Sequence, residues 1–132
     1  MISTKELINI AAARLEDAEI LCLGNRFDGA VYLCGYAVEL TLKAKICKTL
    51  KWIGFPSTNA EFQGFQSFKT HRLDILLSLS GQVIKIKTKH LSDWSIVANW
   101  DSEKRYNAIG TATQMDALNI IQSAKIIVKA LK

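Results

Sequence analysis

The sequence predicts an all-α protein, an up-and-down bundle of four to five helices. Three observations predict it. From Phe27 to Leu50, apolar residues recur every three or four positions on two stripes, which is helical spacing on more than one side. Clear helix-start signals stand at Ser3–Glu6 and at Thr113–Asp116, each ahead of a long apolar stripe. Strand-like alternation is confined to one short run, Val83 to Lys89, and an isolated strand has nothing to pair with.

The elements follow in order. Ser3 and Glu6 make a capping box, so the first helix should start at about Thr4. Leu7, Ala11, Leu15, Ala18 and Cys22 are its inward stripe, and Gly24-Asn25 should end it. The turn is so short that the next helix must return antiparallel, as an αα-hairpin. That second helix carries one stripe through Phe27, Val31, Cys34, Val38, Leu42, Ile46 and Leu50. The other runs through Ala30, Leu33, Ala37, Leu40, Ala44 and Cys47. Two stripes make it the central helix. Gly29 and Gly35 each cost about 1 kcal/mol relative to Ala in a helix, so they point to tight packing there.

Ile53 to Lys69 breaks the pattern with Pro56, Gly54 and Gly64, yet carries four phenylalanines. It reads as a loop packed onto the bundle, or as the lip of a binding site. Thr58 and Glu61 can cap one turn within it. Thr70 is expected to cap a helix running from His71 to Leu79, stopped by Ser80-Gly81. Val83 to Lys89 is expected to connect into a helix holding Leu91, Trp94, Val97 and Ala98. Trp100 to Ala112 reads as irregular. The last helix opens on Thr113 and turns Ala117, Ile120, Ala124, Ile127 and Leu131 inward, with its late lysines suited to the helix dipole.

Length and composition set the bounds. A chain of 132 residues, 49% hydrophobic and 22% charged, is expected to fold as one domain over residues 1–132. The net charge of +5 permits contact with nucleic acid or an acidic partner without requiring it. The polar start at Ser3, Thr4, Lys5 and Glu6 is not that of a signal peptide, and no apolar run reaches the ~18 residues of a membrane span. Three cysteines at core spacings read as reduced, which suits a cytoplasmic protein. No Cys/His cluster has zinc spacing, and no glycine-rich phosphate loop or nucleophile elbow is present, so neither a metal nor a cofactor is expected.

Several pieces together resemble a known family. They are Arg14-Leu15 with Asp17-Ala18, Gly24-Asn25-Arg26-Phe27, Ala30-Val31-Tyr32-Leu33, and Gly35-Tyr36-Ala37-Val38-Glu39 with Leu42-Lys43-Ala44. His71 with Leu73, then Trp100, Glu103 and Arg105-Tyr106 follow in order. The sequence resembles a HEPN domain (higher eukaryotes and prokaryotes nucleotide-binding) from about Lys5 to Leu131. The resemblance implies a helical bundle, a homodimer and a prokaryotic setting. It also implies a small nucleotidyltransferase partner, in a toxin–antitoxin or defence system.

Many members of that family cleave RNA with an Arg followed, after four to six residues, by a His. Here Arg105 matches the Arg, but Gly110, Thr111 and Ala112 stand where the His would fall. None of these can act as general acid or base near neutral pH. The resemblance therefore implies a non-catalytic module binding a nucleotidyltransferase-type partner or a nucleotide or RNA ligand. Two alternatives stand beside it. One is a diverged RNase toxin using Arg105, with His71 or His90 supplied within the dimer. The other is a purely structural or antitoxin-like subunit.

Within this frame, six residues are candidates for ligand or phosphate contact: Arg105, Tyr106, Asn107, His71, Glu39 and Lys43. Arg offers a bidentate fork for phosphate and Tyr a face for a base. Arg105 is equally suited to a salt bridge at a bundle end. Glu39 in so apolar a helix must find a partner, in Lys43 four residues on, or across the bundle in Arg105 or His71, unless it lines a cleft. A His71 at a helix start would be held neutral by the dipole and bonded locally. Lys45, Lys48 and Lys51, with Lys85, Lys87 and Lys89, form two basic groups that would track a phosphate backbone if they converge, and a solvated face otherwise.

Overall fold

A computed structural model describes residues 1–100 and 106–132. It is all-α, as expected. The helices are α1 (Thr4–Leu23), α2 (Phe27–Leu50), α3 (Leu73–Ser80), α4 (Val83–Lys89), α5 (Leu91–Ala98) and α6 (Gln114–Leu131). Six helices therefore stand among the described residues, against four to five expected, because Val83 to Lys89 is itself helical.

The long helices have the limits the sequence sets. At α1, the Ser3 hydroxyl accepts from the Glu6 backbone N–H at 3.2 Å, and the Glu6 carboxylate accepts from the Ser3 N–H at 3.0 Å. At α6, Thr113 and Asp116 exchange the same pair of bonds at 3.1 and 2.9 Å. The predicted inward stripes of both helices are buried. At the α1–α2 turn it is Asn25, with φ of 61°, that takes the left-handed conformation, and not Gly24. The hairpin is antiparallel: Leu21 lies over Gly29 at one end, and Thr4 against Cys47 at the other.

α2 is the central element. It packs on α1, α6, α3 and α5, and twelve of its residues are buried. Its two apolar stripes are thus both used. Gly35 leaves a notch that is filled: a Cβ there would run into the indole ring of Trp100, itself buried.

Three local expectations are corrected. α3 begins at Leu73, not His71. Thr70 does not cap the helix; its hydroxyl accepts from the Arg72 N–H at 3.1 Å in the approach to it. The strand-like alternation of Val83 to Lys89 gives way to helix because Ile86 alone is buried there, and one buried position does not need a pleat. A minimal β ladder forms where none was expected. Ile2–Ser3 (β1) pairs antiparallel with Gly54–Phe55 (β2) and closes the start of α1 onto the segment after α2.

The aromatic loop packs down on the bundle. Trp52 meets Phe55, Phe65 and Phe68 with ring centroids 4.9 to 6.3 Å apart, and Phe62 stands edge-on to Phe55. Thr58 accepts from the Glu61 N–H at 3.2 Å, which is the capped turn the sequence indicates. All three cysteines are free and buried, and burial pushes the Cys34 thiol up to about 12.

Candidate functional site

Helical spacing puts Asp28, Tyr32, Gly35, Tyr36, Glu39 and Lys43 on one face of α2. Different segments of the chain dock along that face. Asp28 takes the backbone ahead of α6, accepting from Gly110 N–H at 2.6 Å and from Ala112 N–H at 2.8 Å. These two bonds hold its carboxyl below the usual aspartate range, the Ala112 bond most. Gly35 receives Trp100. Tyr32 packs on Trp100 at 5.8 Å and stacks parallel to Tyr36 at 6.4 Å.

Further along, Glu39 is 2% exposed. Its carboxylate accepts from the Lys43 ammonium at 3.0 Å and faces Nδ1 of His71 at 3.2 Å. Both partners considered for it in the described part of the chain are therefore used at once. A buried carboxylate is tolerated because charged or polar donors meet it. Lys43 also lies 5.2 Å from the centre of the Phe55 ring, a cation–π contact. His71 is not in a helix; it sits in the approach to α3, with a mostly exposed side chain. The dipole argument for its charge does not apply.

Glu39, Lys43 and His71 line a cleft of about 320 Å³, together with Tyr36, Lys69 and Ser57. The loop after α2 forms one wall, so it is packing and lip together. Burial and the nearby Glu39 charge push the Tyr36 phenol up, so its hydroxyl stays a donor. The cleft, which Thr70 also lines, thus offers two ammonium groups, an imidazole, three hydroxyls and one buried carboxylate. That donor set suits an anionic, hydrogen-bonding ligand.

The remaining candidates lie elsewhere. Arg105 falls outside the described residues. Asn107 lines a second cleft, of about 370 Å³, with Asp28, Asn99, Asn119 and Ile96, between the starts of α2 and α6. Tyr106 is exposed nearby in sequence. Asp28 and Glu39 are eleven residues apart on α2, about 16 Å at 1.5 Å per residue. The six candidates are therefore not one cluster. Tyr32, Tyr36 and Trp100 entered the sequence reading only as part of the family resemblance, and Asp28 and Lys69 were not named as site residues. The three-and-four spacing from Asp28 to Lys43 was the signal for most of them.

Among the described residues no group of three or more His, Cys, Asp or Glu is placed to hold a metal, and no helix is long and apolar enough to cross a membrane.

The fold and site define a helical bundle built on an αα-hairpin, whose second helix presents a charged and aromatic face. Residues 4–58, which span α1, α2 and the segment just after them, match the family model described as HEPN domain. The match reaches two of the six candidate residues, Glu39 and Lys43. No curated protein and no solved structure matches the chain. In general terms, that partial match supports a nucleotide- or RNA-related helical module.

Proposed function

We propose that residues 1–132 form one domain, a non-catalytic HEPN-like module that works as a homodimer in the cytoplasm of a prokaryote. It binds a nucleotide or RNA ligand, or a nucleotidyltransferase-type partner, in a toxin–antitoxin or defence-type system. The cleft at Glu39, Lys43 and His71 is the observation that carries the ligand reading. Lys69 and His71 are exposed at its mouth and can meet a phosphate. Tyr36 is half-buried along its wall, with a ring edge for a sugar or base. Glu39 holds Lys43 in place and can accept from a base edge. The absence of a His at positions 110 to 112 supports the non-catalytic part.

The test uses fluorescent ATP and labelled single-stranded RNA against wild type and Lys69→Ala/His71→Ala. Binding should weaken by roughly tenfold or more in the double variant, the loss of one to two charge-assisted hydrogen bonds. Unchanged binding would remove the cleft from the proposal. RNA should stay intact with wild type. Cleavage by wild type that disappears in Arg105→Ala would instead establish the diverged RNase.

A further inference from the structure

We infer that the end of the bundle where α2 and α6 finish is a surface for the phosphate backbone of nucleic acid, separate from the cleft. The chain sorts its charges by position. From Leu40 on, α2 and its C-cap residue hold Lys43, Lys45, Lys48 and Lys51 and no acid. α4 holds Lys85, Lys87 and Lys89 and no acid, and α6 after Asp116, with the residue that follows the helix, holds Lys125, Lys129 and Lys132 and no acid. Two contacts bring these segments together. The Thr49 hydroxyl, in the last turn of α2, donates to the Ser80 carbonyl at the end of α3, 2.9 Å away. α4 starts three residues later, and its Lys85 ammonium donates to the Ala130 carbonyl in the last turn of α6, 2.7 Å away.

Lys85 is thereby used as a helix-end ligand. Lys48, Lys51, Lys87, Lys89, Lys129 and Lys132 are exposed, and none has an ion pair among the described residues. The acids at this end are committed: Glu6 to its capping box, Glu61 to the N-terminal ammonium. Six uncompensated cations repel one another, and a polyanion relieves that by releasing its own counterions. Point charges on three elements, with no arginine fork among them, suit a backbone followed without regard to sequence. An anionic membrane is the competing occupant, because Ile84 is exposed between the lysines. α4 is only seven residues long and has no aromatic anchor, so it is a poor interfacial helix.

The test is anisotropy of a labelled 20-nucleotide single-stranded RNA over a salt series. Wild type is compared with Lys48→Gln/Lys51→Gln/Lys87→Gln/Lys89→Gln and with the control Arg26→Gln/Arg72→Gln, all checked for fold by circular dichroism. The slope of log K against log salt should flatten by about three in the quadruple variant, roughly 0.7 for each of four lost contacts, and hold in the control. An unchanged slope in the quadruple variant, an equal loss in the control, or no RNA binding by wild type overturns the surface. So does lysine-dependent sedimentation with phosphatidylserine vesicles in place of RNA binding. Failure of ATP to enter the cleft leaves this surface untouched.

Discussion

Glu39 decides more than any other single residue. Its carboxylate is buried, while Lys43 is partly and His71 largely open to water. The asymmetry sets which substitution hurts. Lys43→Met leaves a buried charge facing only an exposed imidazole, and should cost about 3 kcal/mol. Glu39→Leu/Lys43→Met removes both charges and should recover most of that loss. Urea denaturation of the two variants checks this; a double variant as unstable as the single one would show that Glu39 carries structural contacts besides the ion pair. Gly35 is the second sensitive residue. Ala there gains helix propensity of about 1 kcal/mol but collides with the buried Trp100 ring. Overpacking of about 1 to 3 kcal/mol wins over that gain, and Leu should cost more. A neutral Gly35→Leu by the same measurement would mean that Trp100 does not fill this notch.

At the scale of elements, Asp28 ties the start of α6 to the start of α2. Its folded carboxyl titrates below the ordinary aspartate range, because the charged form accepts two backbone N–H groups. The sign follows from linkage. The bond contributes fully above the ordinary aspartate pKa of about 4, and is lost as pH falls below it through the lower folded value. Amide exchange at Gly110 and Ala112 should therefore accelerate below about pH 4 relative to residues in α1. Asp28→Asn should show faster exchange already at pH 7 and a weaker acid response. Equal exchange in wild type and variant would leave Asp28 with no part in holding α6. The same element depends on its cap: Thr113→Ala should cost about 1 kcal/mol, read from thermal melts.

For the whole molecule, the core is one connected cluster that runs through every helix, and the cysteines lie inside it. They should stay unreactive toward Ellman's reagent in native buffer and react together in denaturant, since all three are shut away from the reagent and burial pushes the Cys34 thiol up to about 12, leaving it almost no thiolate. Rapid labelling of one cysteine in the native state would expose a local opening. The proposed homodimer is checked by light scattering, which should return about twice the 14.7 kDa chain mass at micromolar concentration. A clean monomer would end the dimer proposal.

The sequence by itself determined α1, α2 and α6, the capping boxes of α1 and α6, the buried stripes and the central place of α2. Those features are local: a capping box spans four residues, and a 3.6-residue period declares its own face. It also brought Glu39, Lys43 and His71 forward, because a charge in an apolar helix requires a partner. Tertiary structure alone decided which partner, and that two partners act together. It decided that Val83 to Lys89 winds as a helix, since alternation and helix are indistinguishable over seven residues until burial picks one position. It placed Trp100 in the notch of Gly35 and Asp28 under Gly110 and Ala112, pairings across some 65 to 85 residues that no local pattern encodes. It tied the last turn of α2 to the end of α3 through Thr49 and Ser80, and α4 to the last turn of α6 through Lys85 and Ala130. Contacts between distant segments depend on how helices pack, and packing is settled by the whole core at once.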